Sequence, residues 1–176
     1  MACGFVRIDK MKHNIALIII LCLSIFTLNA CGGGKWESAV KDDYTISYPK
    51  NWRLVSSQTS GYDFSLAGPK PKMAILIDVK ENPAGTPLDT FIDKEIHDIN
   101  ARFTANMLEQ HSIKIDGVSG QQLIFYATRN DKASRINANY LVKNNKIYII
   151  SFLTPIELYE KHNPAAQKII NTFTFQ

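Results

Sequence analysis

The chain has 176 residues, a formal net charge of +4, and 45% hydrophobic and 20% charged residues. This composition is typical of a globular protein, and the length suits one ordinary domain. Residues 1–30 hold three basic side chains and one acidic one, so residues 31–176 keep 17 basic and 15 acidic side chains. This nearly neutral balance argues against a basic face for nucleic acid, and no nucleic-acid partner is expected.

The N-terminal segment predicts export. Lys10 and Lys12 precede a mostly apolar run over residues 15–28, the pattern of a secretory leader, and Met11 is an alternative start. The run is shorter than the roughly 20 residues that cross a bilayer, so an uncleaved transmembrane anchor is the less favoured alternative. We therefore expect residues 1–30 to be a signal peptide.

The end of this segment, Leu28-Asn29-Ala30-Cys31, resembles the lipobox of bacterial lipoproteins. The resemblance implies cleavage before Cys31 and acylation (diacylglyceryl, palmitate-type chains) of its sulfur. Two or three acyl chains anchor a protein stably to a membrane. Residues 31–35 then form a glycine-rich tether, and the mature chain keeps no second cysteine for a disulfide. Because Gly32 rather than Asp follows the cysteine, the resemblance implies the outer membrane in a Gram-negative cell. In a Gram-positive cell it implies the outer face of the plasma membrane.

Residues 36–176 are expected to form one domain that is rich in strands. The Asp116-Gly117 pair predicts a tight turn, and Asn144-Asn145 predicts a hairpin, because asparagine tolerates positive φ. Alternation of apolar and polar residues, or dense apolar runs, predicts the strands. They cover residues 44–48, 62–66, 73–79, 118–128, 139–142, 147–153 and 171–175.

Two segments are predicted to be helical. The first starts at Thr86-Pro87 as N-cap and N1, and an apolar stripe interrupted by Glu95 continues to Met107. The second starts with a capping box at Thr154, is interrupted at Asn163-Pro164 and restarts toward Ile170. A long helix between two groups of antiparallel strands predicts an α+β fold, with an antiparallel sheet flanked by helices on both faces.

The segment Tyr44-Thr45-Ile46-Ser47-Tyr48-Pro49-Lys50-Asn51-Trp52 resembles the opening strand, proline and tryptophan of PsbP-like (Mog/PsbP/DcrB-type) domains. The order of the later elements, down to Phe173-Thr174-Phe175, also resembles that family over nearly all of residues 36–176. The resemblance implies an α/β/α sandwich and an accessory role. It carries no catalytic signature.

Candidate site residues are few. Asp93 and His97 lie four apart on the first helix and offer one edge of a metal site, although a solvated helix face explains the same spacing. Trp36, next to the tether, is a candidate for binding a partner, since aromatic side chains supply much interface energy. No nucleophile elbow, phosphate-binding loop or metalloprotease motif appears, so neither an enzyme nor a cofactor is expected.

These observations leave two main hypotheses of function. The first is a membrane-anchored, exported lipoprotein that acts as a non-enzymatic accessory module and binds a protein of the cell envelope. The second is a lipoprotein that binds a small ligand or a metal ion in a pocket between the long helix and the sheet. A third, a hydrolase, would need a deep cleft in which a histidine meets a serine, an aspartate or a glutamate.

Overall fold

The computed structural model describes residues 35–129 and 132–176. Strands make up 53% of these residues and helices 24%. The elements in chain order are β1 (Trp36–Val40), β2 (Tyr44–Pro49), β3 (Arg53–Val55), α1 (Ser57–Ser60), β4 (Phe64–Ala67), β5 (Ala74–Glu81), α2 (Leu88–Arg102), β6 (Thr104–Ile115), β7 (Val118–Arg129), β8 (Lys132–Lys143), β9 (Lys146–Pro155), α3 (Ile156–Ile170) and β10 (Thr174–Phe175).

The strands form two antiparallel sheets. Seven strands follow the order β3-β4-β5-β9-β8-β7-β6, and three strands follow the order β1-β2-β10. Strands β6, β7, β8 and β9 lie side by side in chain order. Strand β5 pairs with β9, although α2 and three strands separate the two along the chain. The predicted antiparallel sheet is confirmed. Because strand residues far outnumber helical ones, a sandwich with a full layer of helices on each face stays a prediction.

The core consists of two apolar clusters that use alternate residues of β9. Tyr148, Ile150 and Phe152 belong to a cluster that also contains β2, β4, β5 and α3 residues. Ile147 and Ile149 belong to a second cluster with β7, β8 and α2 residues. Since successive side chains of a strand point to opposite faces, the two clusters use opposite faces of β9.

The tight turns are confirmed. Asn144 and Asn145 both have positive φ, at 52° and 57°, and they connect β8 to β9 with Lys143 opposite Lys146. Asp116 and Gly117 also have positive φ, at 46° and 78°, between β6 and β7. Both are two-residue hairpin turns whose backbone twist matches that of the strands they join.

The predicted extent of the first helix is wrong at its C-terminal end. Helix α2 ends at Arg102, and Phe103 is already extended, with φ −137° and ψ 154°. Met107 therefore lies in β6, a strand that the sequence pattern did not predict, opposite Phe125 of β7. Phe103 and Met107 continue the four-residue spacing by coincidence, because pairing with a distant strand determines the backbone here.

The predicted start and interruption of the second helix are also wrong. Thr154 is the partner of Arg135 in the β8–β9 ladder and makes no side-chain cap. Helix α3 starts after Pro155 and continues through Pro164 without a break. An internal proline costs about 3 kcal/mol relative to alanine. The complete burial of Tyr159, Ala166, Ile169 and Ile170 against the sheet offsets this cost.

The described part of the chain contains no helix that is long and apolar enough to cross a bilayer. The predicted signal peptide and most of the tether, including Cys31, lie outside the described residues.

Gly120 gives a test of the sheet register. A Cβ atom at this β7 position would collide with the backbone oxygen of Tyr140 in β8, and backbone cannot move aside as a flexible side chain can. We expect Gly120→Ala to lower the free energy of unfolding by about 1–3 kcal/mol in chemical denaturation, in the range of overpacked cores. Ser119→Ala, at an exposed neighbouring position, is the control. Equal stability of both variants would contradict this register.

Candidate functional site

A groove lies between helix α2 and the seven-stranded sheet. Its volume is about 450 Å³. The helix supplies one wall, and β5, β9, β8 and β7 supply the floor. The residues that form it are Tyr62, Leu76, Asp78, Lys80, Glu95, Ile99, Phe103, Phe125, Ala127, Lys132, Ser134, Ile136, Ala138, Tyr140, Ile149, Ser151 and Leu153.

Small side chains on the floor create the groove. Ala138 of β8 lies directly opposite Ser151 of β9, and Ala127 of β7 lies directly opposite Ser134 of β8. At these four positions the sheet presents a methyl or a hydroxymethyl group where a larger residue would fill the space under the helix. Leu153 and Ile136, also opposite each other, keep the rest of the floor apolar.

The helical wall of the groove is apolar and only partly covered. Ile92 is the buried apolar residue of α2, with 2% of its surface exposed, and it packs on β7 and β8. Ile99 and Phe103, which face the groove, are half-buried. Apolar surface left in contact with water favours a ligand that covers it, at about 25 cal/mol per Å².

One end of the groove is charged, and we call Asp63, Asp78, Lys80 and Glu95 the acidic corner. The Lys80 ammonium lies 2.8 Å from Glu95 Oε1 and 3.8 Å from Asp78 Oδ2. It also sits 5.3 Å from the centre of the Phe91 ring. The Asp63 carboxylate accepts a 2.6 Å hydrogen bond from the backbone N–H of Val79. Two carboxylates, those of Glu95 and Asp78, thus lie within 4 Å of one ammonium group, and the Asp63 side chain hydrogen-bonds that of Asp78.

Burial raises the pKa of Asp78 above its ordinary value, and the neighbouring carboxylates of Asp63 and Glu95 raise it further against the opposing charge of Lys80. Burial, with a smaller contribution from Glu95, also raises the pKa of Tyr140 far above its ordinary value. The Tyr140 hydroxyl is therefore neutral at physiological pH and acts as a hydrogen-bonding group, not as a base.

The predicted metal residues lie elsewhere. Asp93 and His97 are exposed on α2 and do not contact the groove, and on the same helix Lys94 donates to Asp98 at 2.6 Å. Among the described residues, no group of three histidine, cysteine, aspartate or glutamate side chains is arranged to hold a metal ion. Metal binding by Asp93 and His97 stays a prediction.

Trp36 is accessible to a partner. Its side chain is 43% exposed on β1, which is an edge strand of the three-stranded sheet. Trp52, Tyr140, Tyr148 and Tyr159, by contrast, are each at most 5% exposed and fill the core. The role of Trp36 in binding stays a prediction, as does lipidation of Cys31.

Sequence reasoning missed the acidic corner, although two signals pointed to it. Glu95 is the one polar residue in the apolar stripe of α2, and Asp78 is the one carboxylate in the apolar run over residues 73–79. Each interruption places a charge on a face that otherwise packs against apolar residues. The structure is needed to see that Asp78 and Glu95 line the same groove. In it, β5 pairs with β9 and places Asp78 opposite Ile149.

The backbone resembles several solved structures. Cyanobacterial PsbP (CyanoP) from Synechocystis superposes with a TM-score of 0.62 at 16% identity, covering 85% of this chain and 99% of that one. The fold is PsbP-like. LpqN of Mycobacterium tuberculosis, a protein involved in cell envelope biogenesis, gives a TM-score of 0.61 at 12% identity, covering 81% of this chain and 91% of that one.

A Pseudomonas aeruginosa protein of unknown function has the same PsbP-like fold. Its TM-score is 0.55 at 12% identity, covering 79% of this chain and 96% of the other. No protein-family model and no curated protein matches the sequence significantly. At such low identity the likeness shows the fold alone, so the site must be argued from its own residues.

The raised pKa of Asp78 gives a test of the acidic corner. A carboxyl whose pKa is raised by folding binds its proton more tightly in the folded protein than in the unfolded one. This contribution to stability is present at low pH and is lost as pH rises through the raised value. We therefore expect Asp78→Asn to increase the melting temperature at pH 7, and the increase to disappear near pH 3. Asp42→Asn, at an exposed turn, serves as the matched control. A decrease at pH 7 would show that the Lys80 contact outweighs burial.

Proposed function

We propose that this protein is a lipid-anchored, non-enzymatic binding module of the cell envelope. The lipobox-like Leu28-Asn29-Ala30-Cys31 after an apolar run supports the anchor. The PsbP-like fold, shared with the envelope protein LpqN, supports an accessory role. With Gly32 after the cysteine, the expected place is the periplasmic face of the outer membrane in a Gram-negative cell. In a Gram-positive cell it is the outer face of the plasma membrane.

We further propose that this module binds an elongated apolar group, such as an acyl chain, in the groove under α2. Its volume of about 450 Å³ lies within the range of small-molecule pockets, about 300–1,000 Å³. Its walls are mainly apolar, and three of its four charged side chains, Asp78, Lys80 and Glu95, lie at the acidic corner, whereas Lys132 lies at the start of β8. An apolar trough with a few polar groups at one end is the usual form of a site that orients an amphiphilic ligand.

The same residues argue against catalysis in the groove. A serine nucleophile needs an adjacent base that is itself held in place. The residues that form the groove include Ser134 and Ser151 but no histidine and no cysteine. Glu95, a carboxylate of the groove, is already bound to Lys80.

A second candidate function is binding of an envelope protein through Trp36. The exposed indole on edge strand β1, next to the predicted tether, favours it. An edge strand presents unpaired backbone groups to which another chain can add.

The anchor is tested by metabolic labelling with palmitate. The native chain should take up the label and should have a mature N-terminus at Cys31 when its intact mass is measured. Cys31→Ala should abolish labelling, while Cys22→Ala, in the expected leader, should leave it unchanged. Label retained by Cys31→Ala, or a native chain that still carries residues 1–30, would exclude the lipoprotein assignment.

The groove is tested with a neutral single-chain probe, decyl maltoside, below its micellar concentration. The full chain is held in phosphatidylcholine nanodiscs, and empty nanodiscs give the baseline for partition into lipid. Calorimetry should show saturable binding that Ser151→Phe weakens by about tenfold or more, because the ring occupies the floor. Ser112→Phe, at an exposed β6 position outside the groove, should bind as the native chain does. If the native chain shows no saturable binding, the groove is not the site, and Trp36 becomes the leading candidate.

A further inference from the structure

The acidic corner already holds an ammonium group, which shows what kind of head group it suits. Lys80 Nζ lies between Glu95 at 2.8 Å and Asp78 at 3.8 Å, with the Phe91 ring 5.3 Å away. Carboxylates together with an aromatic face are the combination that proteins use to bind ammonium ions. A further aromatic ring, that of Tyr62, is 39% exposed at the edge of the groove.

The corner has more negative charge than Lys80 can balance. Asp78 and Glu95 both contact the Lys80 ammonium, and a third carboxyl, that of Asp63, hydrogen-bonds the side chain of Asp78. Asp63 accepts a hydrogen bond from a neutral backbone N–H, which stabilises its charge without cancelling it. The local charge is therefore negative, although the whole chain is positive at +4.

The groove places this charge where a ligand with an apolar chain would end. Asp78, Lys80 and Glu95 are at one end, and Leu76, Ala138, Ser151 and Leu153 continue the floor away from them. We propose that the groove selects single-chain amphiphiles with a cationic ammonium head group, which binds Asp78 and Glu95 while the chain lies along the floor. This inference rests on the proposed function of the groove and specifies its ligand class.

The alternative head groups are disfavoured by the same residues. At the acidic corner a phosphate or sulfate head would meet the carboxylates of Asp78 and Glu95 at close range, and a like charge there costs binding free energy. A neutral sugar head would bind by hydrogen bonds but would leave the excess charge unbalanced. The ammonium head is the one that gains from the corner, and it would also favour the ionised form of Asp78.

Three probes with the same ten-carbon chain test the inference: decyltrimethylammonium, decyl maltoside and decyl sulfate. The full chain in phosphatidylcholine nanodiscs is titrated with each probe below its micellar concentration, and nanodiscs carrying Ser151→Phe give the baseline. We expect the cationic probe to bind about two- to fivefold more tightly than the neutral one, the contribution of one partly exposed ion pair. The anionic probe should bind most weakly, although the net charge of the chain alone would favour it. Added salt should reduce the cationic preference, because these charges are reached by solvent.

Matched variants assign the preference to the corner. Asp78→Asn should remove most of the difference between the cationic and neutral probes and leave the affinity for decyl maltoside within about twofold of the native value. Asp42→Asn changes the net charge equally, at an exposed position that does not line the groove, and should keep the full preference. Equal binding of all three probes, or a cationic preference that survives in Asp78→Asn, would overturn this inference and leave the proposed function standing. If no probe binds above baseline, the proposed function of the groove fails as well.

Discussion

The fold depends on the central position of β9, which must be apolar on both of its faces. It pairs with β5 on one side and β8 on the other. Its residues from Ile147 to Ile150 are all buried, and successive ones belong to different apolar clusters. A slip of one residue would exchange the two faces, so burial on both sides fixes the register less strictly than a polar face would. The Asn144-Asn145 turn supplies the missing constraint, because a two-residue hairpin with positive φ at both positions sets Lys143 opposite Lys146.

The groove arises from side-chain size on this same scaffold. Along β9 the face toward α2 reads Ile147, Ile149, Ser151 and Leu153, and the one small residue lies opposite Ala138. With two larger residues there, the helix and sheet would enclose an ordinary core. The backbone would be unchanged, which is why a TM-score of 0.62 with CyanoP carries no information on whether that protein has such a groove. Likeness of fold and likeness of site are separate properties of these chains.

The sequence predicted those features that short stretches of chain determine. Alternation identified β2, and apolar runs beside turn signals identified β7 and most of β9. Residue chemistry identified both tight turns. Each of these features depends on neighbours within a few positions. Strand β6 was missed, since its partner β7 and not its own pattern determines its conformation. The break predicted at Pro164 failed for a related reason: burial of one helix face outweighs the local cost of proline.

The candidate site was less predictable than the fold, because its residues come from distant parts of the chain. Asp63, Asp78 and Glu95 belong to the loop before β4, to β5 and to α2, and no spacing rule connects them. What the sequence does show is Asp78 and Glu95 as exceptions within apolar patterns. Such an exception is informative because withdrawing a carboxylate partly from water costs folding free energy. In Asp78 this burial also raises the pKa of the carboxyl. Asp78, which bears this cost, lies at the charged end of the apolar groove. The physical argument for a site is therefore that an uncovered apolar surface lies beside an incompletely balanced charge. Each of these features lowers the stability of the fold by itself. One amphiphilic cation would cover the surface and balance the charge.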